Sequence, residues 1–201
     1  VNEMEKRGLT PVGVDLAEMD ITDKEACDRV ITEANVEAVI HCAAYTAVDA
    51  AEDNIEVCRK VNAGGTRNIA EVCKKLGIKM MYISTDYVFD GKGTRPYLEF
   101  DRPNPQGVYG ETKLAGENMV KDFADRYFIF RTAWLYGDGK NFVKTMLRLS
   151  EDHDQVRVVR DQVGSPTSTK ELAGAIAHLL FTENYGLFHA TCEGSCSWAD
   201  F

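Results

Sequence analysis

The sequence predicts an α/β fold in which a doubly wound parallel sheet is covered by helices on both faces. Short apolar runs alternate with helical patterns along the 201 residues. Most of these runs are continuously apolar, which is typical of parallel strands buried on both sides. Parallel strands need long crossover connections, and the helical segments between the runs supply them.

Each predicted element follows from its own local pattern. Apolar runs of strand length predict strands at 12–16, 38–42, 79–85, 127–135, 156–159 and 187–191. The helical segments between them are 22–34, 52–76, 108–125, 141–151 and 169–182. After the third strand comes an irregular connection, Asp90–Gln106, with two glycines and three prolines. Such long loops in a compact domain usually carry function.

Both ends of the chain read as cut. Val1–Gly8 resembles the tail of a helix closed by a glycine, so we expect a strand and a turn before it. In a dinucleotide-binding fold that preceding piece holds the glycine-rich phosphate loop, and no Gly-x-x-Gly-x-x-Gly occurs in these residues. At the other end, Ser197–Phe201 reads as a helix that is just beginning.

Composition narrows the class of protein. An apolar content of 44% and a charged content of 27% are ordinary for a globular chain. The net charge of −9 argues against nucleic acid and anionic membranes as partners. No apolar run approaches the ~20 residues of a membrane span, and Val1 does not open a signal peptide, so the expected location is cytoplasmic. The six cysteines lack metal-ligand spacing and predict free thiols, and no metal site is expected.

Tyr109 and Lys113 are the most informative pair of residues. Their spacing of one helical turn projects both side chains from one face, so the ammonium can lower the phenol pKa from its usual value of about 10. The spacing alone is equally compatible with a surface tyrosine beside a solvated lysine. It recurs at Tyr136 and Lys140, but glycines on both sides of Asp138 disfavour a helix there.

The carboxyl ends of the first two predicted strands suggest a cofactor. Open parallel sheets bind ligands at this edge. Asp15 lies where an acid commonly accepts hydrogen bonds from an adenosine ribose, and Asp20 with Ile21 could flank an adenine, although Asp20 could equally cap a helix. The segment His41–Thr46 places small residues where a backbone must approach a flat cofactor, and tight packing alone is the alternative.

The third and fourth strand ends suggest a substrate. Ser84, Thr85 and Asp86 place two hydroxyls and a carboxylate beside the predicted helix of Tyr109. A hydroxyl here can bind a carbonyl oxygen that is being reduced, while Tyr109 supplies a proton. An ordinary Ser-Thr-Asp turn is the alternative. The Trp134 ring could stack on a sugar or a base, and the alternative is that Trp134 is a core residue.

Six motifs follow one another in order along the chain: His41–Asp49, Val61–Ala70, Ser84–Gly91, Tyr109–Glu117, Phe130–Gly137 and Asp161–Thr167. With these motifs the chain resembles the extended short-chain dehydrogenase/reductase superfamily and, within it, the dTDP-4-dehydrorhamnose reductase family. The Ser-Thr-Asp-Tyr-Val-Phe-Asp-Gly stretch separates this family from sugar-nucleotide epimerases and dehydratases.

The resemblance implies roles for individual residues. Thr85, Tyr109 and Lys113 would form the catalytic triad, and Thr85, Asp86 and Trp134 would contact the substrate. Tyr109 and Lys113 would also contact the cofactor, and the segment Gln162–Thr167 would lie beside the nucleotide sugar. The remaining cofactor contacts would be Asp15, Asp20, Ile21, Ala43, Ala44, Tyr45 and Thr46.

The resemblance also implies a fold and an activity. Residues 1–151 would form an NAD(P)-binding Rossmann-like domain without its first strand, and residues 152–201 would add a sheet strand and the start of a smaller substrate domain. The expected reaction is reduction of the 4-keto group of a dTDP-sugar by NADPH or NADH, and Asp15 favours NADH because it would repel a 2′-phosphate. A homodimer is possible. An epimerase or dehydratase with bound NAD and a non-catalytic regulatory subunit are the alternatives.

Overall fold

The computed structural model describes residues 1–201, which form eight α-helices and eight strands. The helices are α1 (Asn2–Lys6), α2 (Lys24–Ala34), α3 (Val48–Asp53), α4 (Ile55–Arg59), α5 (Thr66–Leu76), α6 (Val108–Phe123), α7 (Phe142–Asp152) and α8 (Thr169–Leu179). The strands are β1 (Ala38–His41), β2 (Lys79–Thr85), β3 (Tyr127–Thr132), β4 (Leu135–Tyr136), β5 (Val163–Gly164), β6 (Thr167–Ser168), β7 (Gly186–His189) and β8 (Cys196–Ser197).

The main sheet has four parallel strands in the order β1-β2-β3-β7. This arrangement confirms the predicted α/β fold with a parallel sheet. The register pairs Ser84 with Arg131 and Thr85 with Thr132, so the carboxyl ends of β2 and β3 lie side by side. Strand β7, from the last fifty residues of the chain, joins the same sheet.

Helices cover both faces of this sheet, as the continuously apolar strands predict. On one face, α2, α5 and α6 pack over a core of thirteen buried residues that includes Tyr82 and Ile129. On the other face, α1 and α8 pack over a core of seven buried residues that includes Phe128 and Phe130. At roughly 1.5–3 kcal/mol for each large apolar side chain removed from water, these two cores are the main stabilising contribution.

Capping residues set the ends of several helices. The side chain of Asp23 accepts a hydrogen bond from the Ala26 N–H and starts α2, and Asn35 ends it in the left-handed conformation with φ 48°. Asn141 and Ser168 cap α7 and α8 in the same manner. Gly8 follows α1 with φ +76°, in agreement with the predicted helix tail.

The predicted helix 52–76 is wrong as a single element. A break at Asn54, with φ −127° and ψ 42°, separates α3 from α4. A π-helical stretch, Lys60–Gly65, then joins α4 to α5. Gly65 permits close packing there, since a β-carbon on it would lie 2.6 Å from the Ile21 side chain. Such π-helical turns often occur at functional sites.

Two predicted strands do not form. Residues 12–16 and 156–159 form no strand ladder, and most of their valines are exposed, Val12 at 57% and Val159 at 50%. No neighbouring strand lies alongside either run, so an extended backbone would gain no ladder there. The predicted strand 127–135 ends at Thr132, because Trp134 takes a left-handed conformation with φ 48°.

The C-terminal part adds two small sheets. Strands β4 and β6 pair in parallel, and β5 and β8 pair antiparallel. Ser197 and Asp200 exchange side-chain and backbone hydrogen bonds of 2.6 and 3.1 Å, and the Phe201 N–H donates to the Ser197 carbonyl. These contacts resemble a capping box and form the helical turn expected at Ser197–Phe201. The proposed domain division at residue 151 stays a prediction.

Two further features bear on the class of protein. None of the helices combines the length and the apolar character that crossing a bilayer requires. All six cysteines are free, three of them buried.

Gly116 provides a test of the packing between α6 and the sheet. A β-carbon there would overlap the Tyr82 hydroxyl and lie 2.6 Å from the Asn62 carbonyl oxygen. We expect Gly116→Ala to destabilise the fold by about 1–3 kcal/mol through overpacking, as measured by urea denaturation. Gly174 in α8 has open space around it, so the control Gly174→Ala should stabilise by up to about 1 kcal/mol. Equal effects of the two variants would contradict the packing described.

Candidate active site

The end of β2 carries the first polar side chains of the site. Thr85 is buried, and its hydroxyl donates to the Asp86 carboxylate at 3.0 Å and accepts from the Tyr87 N–H at 3.2 Å. The chain then turns through a short 3-10 helix, Asp86–Val88. Burial raises the pKa of Asp86, and the hydrogen bond from Thr85 partly opposes this shift.

Helix α6 begins beside this strand end and carries Tyr109 in its first turn. Its N-cap, Gly107, has no side chain, and the carboxylate of Glu52 in α3 accepts from the Val108 N–H at 2.8 Å instead. Tyr109 is half-buried, lies near the Thr85 hydroxyl, and meets the Tyr87 ring edge-on with centroids 5.5 Å apart. The structure therefore brings Thr85 and Tyr109 together.

The pKa of Tyr109 moves in the direction opposite to the one expected. Burial raises the pKa of Tyr109 to about 12, while the nearby Thr85 hydroxyl lowers it only in part. The expectation that Lys113 lowers this pKa is wrong for the chain without ligands, because Lys113 is turned to other partners. The phenol thus keeps its proton throughout the neutral pH range.

Lys113 lies one turn further along α6 and is 3% exposed. Its ammonium donates to the Ile83 carbonyl at 2.6 Å and lies 4.1 Å from the centre of the Tyr82 ring. Burial lowers the pKa of Lys113 to about 7, and the negative charge of Glu117 partly opposes this shift. One protein acceptor engages the ammonium, so two of its three N–H groups remain for a ligand.

A buried ion pair underlies the site. Glu117, fully buried on α6, receives two hydrogen bonds of 2.8 and 2.7 Å from the guanidinium of Arg131 in β3. The Ser84 hydroxyl donates to the same carboxylate at 2.7 Å. Arg131 also donates to the Glu99 carbonyl at 3.4 Å and lies over the Phe89 ring. One pair therefore joins the helix, both strand ends and the connection at 90–106.

The segment at the end of β1 approaches α6 from the other side. Ala43 and Thr46 are exposed, and Ala44 is half-buried. The Tyr45 ring packs with Tyr109 against the small cluster of Ala51, Cys58 and Val108. These small and accessible residues fit the predicted close approach of a flat ligand.

His41 closes this strand inside the protein. Its ring is buried and lies 3.0 Å from the Thr66 hydroxyl. Burial lowers the pKa of His41 to about 3. It is therefore a neutral packed residue.

The residues predicted near the adenosine lie earlier in the chain, before β1. Asp15 is exposed, and its carboxylate accepts from the Leu16 N–H at 2.8 Å. Asp20 accepts from the Thr22 N–H at 2.8 Å, which lowers its pKa, and the cap of α2 is Asp23 instead. The Ile21 side chain is buried in the core. Their contacts with a cofactor stay predictions.

Trp134 lies in an aromatic cluster rather than alone. Its ring stacks on Trp198 at 3.6 Å between centroids and 11° between planes, and Phe142 packs against Trp198. The backbone of Gly164 approaches the Trp134 indole closely, since a β-carbon there would lie 2.5 Å away. Part of the indole surface is therefore occupied by protein, and its contact with a sugar stays a prediction.

The second Tyr-x-x-x-Lys copy forms no helix. Tyr136 ends β4, and Gly139 has φ +82° in the turn that follows. The side-chain amide of Asn141 then donates hydrogen bonds to the carbonyls of Gly137 and Gly139. The glycines thus act as predicted, and this copy is excluded from the site.

Three residues of the site were missed by sequence reasoning. Glu52 caps α6 from another helix, Asn62 binds both backbone groups of Tyr45, and Glu117 pairs with Arg131. Asn62 and Glu117 lie inside motifs recognised above, and Glu117 follows Lys113 by one helical turn. That spacing was the available signal for Glu117, whereas Glu52 had none.

The titration of Lys113 is testable by stability measurements. Because its folded pKa lies below the value of about 10.5 for a free lysine, the unfolded chain binds more protons between pH 7 and pH 10.5. The wild type should therefore gain stability relative to Lys113→Met as the pH rises through that range. We expect the variant to be the more stable at pH 7, with a margin in urea denaturation that shrinks by pH 10. A margin independent of pH would contradict the buried lysine.

Comparisons with known proteins agree with this geometry. The family model described as the RmlD substrate binding domain matches residues 1–201. The dTDP-4-dehydrorhamnose reductase of Streptomyces griseus is 42% identical over 97% of this chain, and the chain spans 66% of that protein's length. The dTDP-4-dehydrorhamnose reductase of Salmonella typhimurium is 37% identical over 98% of this chain and is spanned over 70% of its length.

A solved structure has the same fold. The dTDP-4-dehydrorhamnose reductase of Bacillus anthracis in complex with NADP superposes with a TM-score of 0.94 at 43% identity, over 99% of this chain and 73% of that one. The motifs at the strand ends, the parallel sheet and these matches agree. The chain belongs to the RmlD substrate binding domain family, which is the family of the dTDP-4-dehydrorhamnose reductases.

Proposed function

We propose that the protein reduces the 4-keto group of dTDP-4-dehydro-L-rhamnose to give dTDP-L-rhamnose, with NADPH or NADH as the reductant, in nucleotide-sugar biosynthesis for cell-surface polysaccharide. The observation that carries the proposal is the convergence of Thr85, Tyr109 and Lys113 at the carboxyl ends of the strands, where open parallel sheets bind ligands. The three residues come from two elements that the Glu117–Arg131 pair holds together.

Tyr109 is the proton donor in this proposal. Its raised pKa keeps the phenol protonated at neutral pH, and its hydroxyl lies beside that of Thr85. A ketone oxygen that accepts hydrogen bonds from both hydroxyls would be polarised for reduction. As the carbonyl carbon gains a hydride, the oxygen takes the phenolic proton and becomes the alcohol.

Lys113 serves two purposes. Its free N–H groups would bind ribose hydroxyls of the cofactor, and in its charged form it would stabilise the phenolate left on Tyr109. The bound nicotinamide supplies the hydride. The turn Ala43–Thr46 would face the cofactor, as Asp15, Asp20 and Ile21 would at its adenosine end, while Asp86 and Trp134 would face the sugar.

The residues at the site support a nicotinamide dinucleotide as the cofactor. Separate observations support NADPH and NADH. The relative from Bacillus anthracis was solved with NADP, which supports NADPH. The exposed carboxylate of Asp15 would repel a 2′-phosphate, which supports NADH. The proposal therefore includes NADPH and NADH. It also includes a cytoplasmic location, a homodimer and a domain boundary at residue 151.

Related substrates are the nearest competing candidates. A dTDP-4-keto-6-deoxy-D-glucose reductase from Streptomyces niveus is 41% identical over 96% of this chain. The reaction in the name of that relative differs from the proposed reaction only in the sugar. Because part of the Trp134 indole is covered by Trp198 and Gly164, the shape of this corner would contribute to the choice between sugars.

Replacing Tyr109 by phenylalanine tests the proposed acid. We expect Tyr109→Phe in the full-length protein to lower kcat by on the order of 10²–10⁴-fold, because the ring stays and only the proton donor is lost. Cofactor affinity, measured by fluorescence titration, should stay near that of the wild type. The matched control is Tyr136→Phe, in the copy that forms no helix, which should keep its turnover. Undiminished turnover of Tyr109→Phe would contradict the role of Tyr109 as the proton donor.

Nicotinamide absorbance during turnover distinguishes the reaction classes. A reductase consumes one reduced nicotinamide for each ketone reduced, whereas an epimerase or dehydratase returns its NAD to the starting state. We expect absorbance at the reduced-nicotinamide band to fall in proportion to product formed. Product without net loss of absorbance would favour an epimerase or dehydratase, and binding to another enzyme without any product would favour a regulatory subunit.

A further inference from the structure

We propose that Tyr82 is a positioning residue that keeps the ammonium of Lys113 against the face of its ring, at the carboxyl end of β2. The inference rests on the proposed function for the use of that ammonium, since Lys113 would bind the cofactor and stabilise the phenolate of Tyr109. Tyr82 lies in β2 and is fully buried. It would therefore act through Lys113 rather than through contact with solvent or a ligand.

The alternation of side chains along β2 places Tyr82 beneath α6. Tyr82 belongs to the core that α2, α5 and α6 cover, whereas Met81 belongs to the core on the other face of the sheet. Ser84, two residues further along, also faces α6 and donates to Glu117. Lys113 projects from α6 onto this same face, and its ammonium lies 4.1 Å from the centre of the Tyr82 ring.

Tyr82 contacts both the side chain and the backbone of Lys113. While the ring faces the ammonium, the Tyr82 hydroxyl donates to the Lys113 carbonyl at 3.3 Å. The absence of a side chain at Gly116 leaves room for this hydroxyl, since a β-carbon there would overlap it. The ring is thus attached to the helix whose lysine it faces.

The ring supplies an attraction that the ammonium otherwise lacks. Lys113 is 3% exposed, and the Ile83 carbonyl is its hydrogen-bond acceptor in the protein. A cation within about 6 Å of an aromatic face is attracted by the negative charge of that face, more strongly when water is excluded. The ring accepts no strong hydrogen bond, so the N–H groups that Ile83 leaves free stay available to a ligand.

The ionisable groups around the ammonium come from four elements and the turn after β1. They are Glu117 on α6, His41 in β1, Cys42 after β1, Cys58 in α4 and Tyr82 in β2, and Arg131 in β3 pairs with Glu117. Glu117 raises the pKa of Lys113, but two hydrogen bonds from Arg131 already occupy its carboxylate. Beside the Ile83 carbonyl, the Tyr82 ring is the direct contact that favours the charged lysine.

The contact has a consequence for catalysis near neutral pH. Burial lowers the pKa of Lys113 to about 7, so a modest change in its surroundings alters the charged fraction at that pH. Loss of the attraction to the ring would lower the pKa further and leave more of the lysine neutral. A neutral amine would stabilise the Tyr109 phenolate less than an ammonium does.

A series of fluorinated rings tests the inference, because fluorine withdraws negative charge from the ring face and changes its shape little. Tyr82→Phe in the full-length protein keeps the ring, and the same variant is then made with one, two or three fluorines on it. The pKa of Lys113 is measured as the pH at which each protein begins to gain stability in urea relative to its Lys113→Met counterpart. We expect this pH to stay near the wild-type value in Tyr82→Phe and to fall with each fluorine, by about 0.5–1.5 units in all.

An unchanged Lys113 pKa across the series would overturn the proposal, because a purely structural role depends on the shape of the ring and not on its charge distribution. If Tyr82→Phe does not fold, fluorotyrosine and difluorotyrosine at this position keep the hydroxyl and give the same comparison. Tyr127 in β3 is the matched control, since it packs against the same core at the amino end of the sheet. Fluorination there should leave the pKa of Lys113 unchanged, and equal shifts at both positions would overturn the proposal.

The pH profile of turnover separates this inference from the proposed function. We expect the alkaline limb of kcat/KM for the reduced cofactor to move to lower pH with each fluorine, in step with the pKa of Lys113. An inactive wild type would contradict the proposed activity alone, and a falling Lys113 pKa in the urea measurements would still support the contact. An alkaline limb that stays in place while the Lys113 pKa falls would overturn the positioning role.

Discussion

The ion pair between Glu117 and Arg131 is the interaction on which the arrangement of the site depends. Breaking such a buried pair by removing one partner typically costs about 3–5 kcal/mol, because the remaining charge stays unpaired in a medium that solvates it poorly. Here the carboxylate also binds Ser84, the neighbour of Thr85. The rotation of α6 about its axis is therefore determined by the same contacts that locate the end of β2. Tyr109 meets Thr85 because Glu117, two turns along the same face, has a fixed partner.

The sequence was informative about the fold wherever a local pattern and a neighbour agree. The runs in β1, β2, β3 and β7 are apolar and lie against other strands, and they form as predicted. The run 12–16 has the same local character, yet no strand lies beside it and its side chains are exposed. The apolar pattern of a segment indicates how well it would fit into a sheet, whereas the ladder of backbone hydrogen bonds also needs a neighbouring strand. The break at Asn54 and the π-helical stretch could not be read from apolar spacing. The break is a local change of backbone angles, and Gly65 of the π-helical stretch packs against Ile21, which is distant in the chain.

The site was predictable where chemistry and helical spacing are local. Thr85, Tyr109 and Lys113 lie in short motifs, and the structure brings them to one edge of the sheet. Their pKa values were not predictable, since these depend on the number of protein atoms that replace water around each group. Asn62 and Glu52 were missed for a related reason: their partners are 17 and 56 residues away in the chain. Only the folded structure shows those contacts.

Burial shifts four titratable groups near Tyr109 and Lys113 towards their neutral forms. Asp86 and Tyr109 have raised pKa values, and His41 and Lys113 have lowered ones. Loss of hydration thus disfavours the charged form of each of these four side chains. An anion that comes close to Lys113 stabilises its ammonium form, so binding is linked to the uptake of a proton from the solvent. The affinity for such an anion then strengthens as the pH falls towards 7, because Lys113 takes up its proton when the anion binds.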